Sequence, residues 1–286
     1  MKILLILLFL FTTASSKTIE LIATVTYTND TNSTIKNITH KITIPEERFY
    51  QKLEKIFIIP NTTYKIKKNK KYQNKYISID FGDLKKNEIV SKQIHFIIEQ
   101  RNLNTNFYEE IEKTKKYGIK YLVHKKDIQI NSKQIKAISY LIDENQLNVK
   151  KKIDLAYKFP SKYLTYKVQK NTSALNALKT GVGDCTEFAM LFVALARSIG
   201  IEARRVSVFN FLNNKNFKVP NHHIAEIYTS KYGWMPIYPN LSQGGKNKNY
   251  LLGKISSTIL LYKYKSWVWA SNYGKDIDIS VKWNIK

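Results

Sequence analysis

The chain has 286 residues, a length that suits about two domains, and its 43% hydrophobic fraction is ample for packed cores. Its 47 Lys and Arg against 22 Asp and Glu give a formal net charge of +25, which could serve a polyanionic partner. The basic residues are dispersed along the chain and no nucleic-acid-binding module is visible, so no nucleic-acid partner is expected. The single cysteine excludes an intramolecular disulfide.

Residues 1–16 have the form of a secretory signal peptide. Lys2 precedes an apolar run over 3–11, and the small residues Ala14 and Ser16 sit before Lys17. The run is too short to span a bilayer as a mature helix. An uncleaved N-terminal anchor is the other reading of the same segment. No later stretch is long and apolar enough to cross a membrane, so the mature protein is expected to be exported, periplasmic or secreted, with no transmembrane segment after signal removal.

Residues 17–100 read as strands. Ile19, Leu21, Ala23, Val25 and Tyr27 alternate with Glu20, Thr24 and Thr26. Further strand-like runs lie at 38–44, 56–59, 76–81 and 92–98, punctuated by Pro45, Pro60 and Gly82-Asp83. The basic run 67–75 reads as a solvated hairpin tip. Short strands with regular turn signals predict a small β-sandwich. His95, alone among apolar residues, reads as a satisfied core or edge histidine.

Residues 101–130 look like a connector. A helix is expected from Ser132, with Ile135, Ile138, Leu141 and Ile142 on one face. A second is expected over 148–158, stopped before Pro160. A short third helix is capped by Thr172 or Ser173 and leads into a turn at Gly181 and Gly183. Asp184 is a candidate N-cap for a fourth helix, along which Phe188, Leu191, Phe192 and Leu195 recur at helical spacing. Gly200 suits its left-handed end. Cys185 thus falls in the first turn of a buried helix, where the helix dipole favours thiolate. A lone cysteine can equally be a small buried hydrophobe.

Beyond Gly200 the period changes to strands at 203–211, 222–228 and 234–238, the last two forming a hairpin around Lys231-Tyr232-Gly233. More strands are expected at 256–263 and 277–283. A cysteine nucleophile needs a base, and His222 and His223 are the candidates. Alternation lets only one of them face the helix. One cysteine and two adjacent histidines make no recognisable metal-ligand set, and no cofactor is implied.

Three stretches resemble the transglutaminase-like superfamily of papain-related folds. Gly181-Val182-Gly183-Asp184-Cys185, continued by Ala196-Arg197-Ser198-Ile199-Gly200-Ile201-Glu202-Ala203-Arg204, is similar to the family's first motif. His222-His223-Ile224-Ala225-Glu226-Ile227-Tyr228 is similar to the second, and Gly233-Trp234-Met235-Pro236-Ile237-Tyr238-Pro239 to the third. The resemblance implies an α+β fold: an N-terminal β-sandwich over 17–100, then a transglutaminase-like, papain-like domain over 131–286 with a nucleophile helix packed on an antiparallel sheet. It implies Cys185 as nucleophile and His222 as base. The family's aspartate falls on Tyr238, so Tyr238, or Asn240 two residues on, would orient His222. The implied activity is amide hydrolysis, peptidase action or acyl transfer through a thioester, on a peptide, protein or cell-wall amide. The missing carboxylate keeps open a non-catalytic binding or scaffold module.

Overall fold

The computed structural model describes residues 16–69, 74–101, 121, 125–144, 147–210, 216–217, 222–240, 258–262, 264–271 and 277–286. The signal-like segment up to residue 15, most of the 101–130 connector, and the turn at 272–274 lie outside them.

The chain opens with β1 (Ser16–Asn29), β2 (Ile35–Thr43), β3 (Gln51–Ile59), β4 (Tyr64–Lys68), β5 (Lys75–Leu84) and β6 (Ile89–Arg101). Helices α1 (Lys133–Asp143) and α2 (Val149–Tyr163) follow, then β7 (Thr165–Tyr166), α3 (Ala174–Thr180), β8 (Val182–Gly183) and α4 (Cys185–Ser198). The rest is strand: β9 (Ala203–Asn210), β10 (Asn216–Phe217), β11 (His222–Thr229), β12 (Gly233–Ile237), β13 (Thr258–Tyr262), β14 (Ser266–Trp269) and β15 (Ile277–Ile285).

The expected sandwich is present. One sheet has the order β10-β15-β1-β6-β3 and the other β14-β2-β5-β4. Ile19, Leu21, Val25 and Tyr27 of β1 face a core shared with Ile38, Ile42, Ile77 and Ile79 of the second sheet. β4 pairs with β5 from Tyr64↔Ile79 to Lys68↔Lys75, so both ends of the basic run join paired strands, while 70–73 lie outside the described residues. His95 lies at the edge of this core, with Nδ1 2.7 Å from Glu20 Oε1 and its ring stacked on Phe57, so it is half satisfied: its buried Nε2 has no hydrogen-bond partner among the described residues.

The tail departs from the sequence division. β15 pairs with β1 from Leu21↔Ile285 to Asn29↔Ile277, and β14 pairs with β2. The last strands therefore complete the sandwich, not the 131–286 unit. Period-2 patterning says that a segment is a strand but not which edge it will pair with.

The second unit packs α1–α4 on a sheet of order β12-β11-β9-β13, antiparallel throughout. Ser132 and Ser173 are the N-caps of α1 and α3, accepting from Ile135 and Asn176 amides. Helix α2 runs on through Pro160 to Tyr163. The proline forfeits one amide donor near the helix end. It is buried with Ala156 and Tyr157, and its carbonyl still accepts from Leu164 N at 2.8 Å. Every residue of α4 from Glu187 to Arg197 is buried, as expected of a central helix.

The two units share strands. In β13, Leu260 faces the helical core while Ile259 and Leu261 face the sandwich core. In β9, Val208 and Phe209 divide in the same way. Gln51 at the start of β3 bonds the edge of β13, donating to Leu260 O and accepting from Leu260 N at 3.1 and 2.9 Å. Arg48, in the β2–β3 loop, donates from Nε to Glu226 Oε1 at 2.8 Å, while Arg204 NH2 lies 2.6 Å from Glu226 Oε2. Glu226 is fully buried. Burial alone would raise its carboxyl pKa, but Arg204 and Arg48 together hold it below the ordinary value.

Removing the carboxylate would strand two guanidiniums. Glu226→Gln is expected to lower stability by about 3–5 kcal/mol, read as a drop in the urea midpoint. The solvent-exposed Lys75–Glu47 pair is the control: Lys75→Ala should leave the midpoint unchanged.

Candidate functional site

The site forms where the start of α4 meets β11. Gly181 ends α3 in the left-handed region at φ 69°. Gly183 is required for a different reason: a Cβ there would stand 2.5 Å from Glu187 Cβ. Asp184 then caps α4, accepting from Thr186 N at 2.7 Å, and Glu187 closes a capping box by accepting from Asp184 N at 2.8 Å. This fixes Cys185 as the first helical residue, half-buried and unpaired.

β7 runs parallel to β8, with Tyr166 opposite Gly183. That places the Tyr166 hydroxyl against the backbone amide of Cys185. On the other side, the Cys185 thiol is hydrogen-bonded by the backbone of His223. Pairing of β12 with β11 begins at Ala225↔Ile237, so residues 222–223 lie beyond the end of that ladder, on the edge the thiol approaches.

The two histidines part company as alternation requires. His223 Nδ1 is 3.2 Å from Thr186 Oγ1, beside the cysteine. The ring of His222 stacks on Tyr238 with centroids 6.5 Å apart and planes 18° apart. Tyr238 is buried at the end of β12, and Ser161 of α2 donates to the next carbonyl, Pro239 O. The residue pair matching the family's histidine and aspartate positions is thus in ring contact, and the contact is stacking. Asn240 lies in the turn after Pro239.

The electrostatics run against the helix-dipole expectation. Burial pushes the Cys185 thiol above its ordinary pKa, with Asp184 and Glu187 adding to it, while hydrogen bonds from the His223 backbone and the Thr186 side chain oppose the rise. Burial, then Arg205 and His222, lowers the His223 imidazole to about 4. At neutral pH this is a protonated thiol beside a neutral imidazole. Such a site attacks a carbonyl only if a base removes the thiol proton during attack.

Three neighbours carried no sequence motif: Thr186, Tyr166 and Arg205. Arg205 was within reach of sequence reasoning, because β9–β11 pairing sets it opposite Ala225, on the same face as His223. Among the described residues, no group of three or more His, Cys, Asp or Glu could hold a metal ion. No helix among them is long and apolar enough to cross a membrane.

The sequence profile described as Transglutaminase-like superfamily matches residues 136–239. No curated protein sequence matches the chain. Among solved structures, a candidate cysteine protease from Cytophaga hutchinsonii is 13% identical with a TM-score of 0.59, covering 95% of this chain and 98% of that one. The likeness in fold therefore runs through sandwich and helical unit alike. The periplasmic domain of TgpA from Pseudomonas aeruginosa is 10% identical, with 74% of this chain and 91% of that chain covered and a TM-score of 0.38.

The raised thiol makes a direct prediction. Iodoacetamide alkylation of Cys185 in the folded protein should rise with pH through a midpoint above the free-cysteine value of about 8.5. A reactive limb well below that value would show a thiolate-imidazolium pair instead.

Proposed function

We propose, from the match of residues 136–239 to the transglutaminase-like superfamily, that the chain is an exported, cysteine-dependent enzyme of acyl transfer. Cys185 is the nucleophile and His222 its base. The observation that carries this reading is the seating of Cys185 at the head of α4, against the His223 backbone of β11, with the neighbouring His222 stacked on Tyr238.

The steps follow from the protonation states. Cys185 rests as a thiol, so His222 takes the Sγ proton as sulfur attacks the amide carbonyl. The carbonyl oxygen becomes an oxyanion, and the backbone N–H of Cys185 at the helix start is one donor to it. The Tyr166 hydroxyl now lying against that amide is displaced by the oxyanion or turns to donate to it. His222 then passes its proton to the leaving amine as the C–N bond breaks, leaving a thioester. Water attacks next in a hydrolase, an amine in a transferase, with His222 again the base. Tyr238 supplies no charge to stabilise the imidazolium. It holds the ring by packing, so the site works as a neutral general-base system.

One observation favours a second reading, a binding or scaffold module that kept the fold and lost turnover: a tyrosine stands where the family's motif has a carboxylate. Acylation by p-nitrophenyl acetate separates the two. The enzyme reading expects p-nitrophenolate release that Cys185→Ala abolishes and His222→Ala slows by about 10²–10⁴-fold, with His223→Ala costing less than about 10-fold. Release that is the same in Cys185→Ala as in the parent protein would remove the enzyme reading in favour of the binding module.

A further inference from the structure

The proposed chemistry leaves Arg205 unused. Across β9 and β11, Ser207 stands opposite His223 and Arg205 opposite Ala225, so Arg205, Ser207 and His223 project from one face of the sheet. Thr186, the helical neighbour of Cys185, meets His223 at this face. Arg205, Ser207 and His223, with Lys125, Lys265 and Asp127, line a cleft of about 380 Å³. Arg205 is half-buried in it and within electrostatic reach of Asp127, Glu187, Cys185 and Asp184.

The cations around the cleft differ in what already holds them. Arg204 is committed to Glu226, with its guanidinium carbon 3.9 Å from the Trp234 ring centroid. Arg197 donates to the Ala203 carbonyl. Arg205 has neither kind of tie: no side-chain bond or ion pair joins it to another described residue, and Asp127 is the one carboxylate in the lining. Lys125 and Lys265 are exposed at the mouth. The cleft therefore presents a guanidinium without a side-chain hydrogen bond to another described residue, within electrostatic reach of the thiol and with two lysines at the mouth. A guanidinium fork takes a carboxylate in two parallel hydrogen bonds, and partial burial makes the pairing stronger than at an open surface.

Building on the reading of Cys185 as nucleophile, we propose that this cleft is a substrate subsite for a carboxylate, so that the acyl donor is an acidic peptide carrying Glu, Asp or a free carboxyl beside the amide that Cys185 attacks. The volume suits one or two side chains. A nucleic acid would be held by cations spread over a surface that follows its phosphates, whereas here the guanidinium is recessed in a cleft. The net charge of +25 raises the encounter rate with anionic peptides generally; the cleft selects where the carboxylate comes to rest.

The test is protection of Cys185 from iodoacetamide by acetyl-Ala-Glu-Ala-amide and by its Gln isostere, at low ionic strength. The Glu peptide is expected to slow alkylation several-fold at millimolar concentration, and the Gln peptide to leave it unchanged. The difference should vanish in Arg205→Gln. Should that variant not fold, Lys125→Gln/Lys265→Gln alters only two exposed side chains and should reduce the difference. Equal protection by both peptides, or a difference that survives both sets of changes, would overturn the subsite. So would stronger protection by an oligothymidylate than by the Glu peptide. Glu-specific protection without acylation of Cys185 by the ester would remove the enzyme reading alone. Acylation without Glu-specific protection would remove the subsite alone.

Discussion

A buried carboxylate between two guanidiniums is the interaction on which the candidate site depends. Glu226 belongs to β11, the strand that carries His222 and His223. It is gripped from its own sheet by Arg204 of β9 and from the sandwich by Arg48. Burying three charges is costly, and the arrangement is worthwhile only when every partner is in place. Arg204 is fixed further by lying over Trp234 of β12, so one guanidinium ties together three strands, and Arg48 brings the sandwich to the same carboxylate. On β11, residues 222, 224 and 226 share one face. The grip on Glu226 therefore sets the direction in which His222 points, toward Tyr238.

The sandwich is part of the site's framework. Strand β13 sends Leu260 into the helical core and Ile259 and Leu261 into the sandwich core, and the Gln51 amide stands in for a further strand on its edge. Two hydrophobic cores thus meet across a single sheet. Displacing the sandwich would expose half of β9 and β13 and release Arg48 from Glu226. Rigid placement of the reacting groups follows from packing that lies mostly outside the helical unit.

Much of this was legible in the sequence where the determinants are local. The cap at Asp184, the left-handed glycines at 181 and 200, and the apolar periodicity of α4 are written within a few residues of one another, and the structure realises each. The need for Gly183 was visible, though its reason, contact with Glu187, was not. What depends on long-range pairing was not legible. β15 read as a strand, but nothing local says that it pairs with β1 across more than two hundred residues, and β14, which pairs with β2, fell outside the expected strand runs. Pro160 read as a helix stop because the sequence does not show that its face will be buried. Arg205 read as one of many dispersed cations until strand register set it on the face of His223.

The sharpest physical contrast is at the thiol itself. A helix start favours thiolate, but its influence is confined to the first turn and is modest beside desolvation of a charge. At Cys185 burial wins, and at His223 burial and Arg205 remove the partner charge that would have rescued the thiolate. On the proposed reading, a thiol that rests protonated gives up its proton only during attack. The most direct measurement is intact-mass analysis of the folded protein after brief exposure to p-nitrophenyl acetate. An acetyl adduct on Cys185 that forms faster than on the urea-unfolded chain, and that neutral hydroxylamine removes, is the predicted result. An adduct that forms no faster in the folded protein would contradict a nucleophilic role for Cys185.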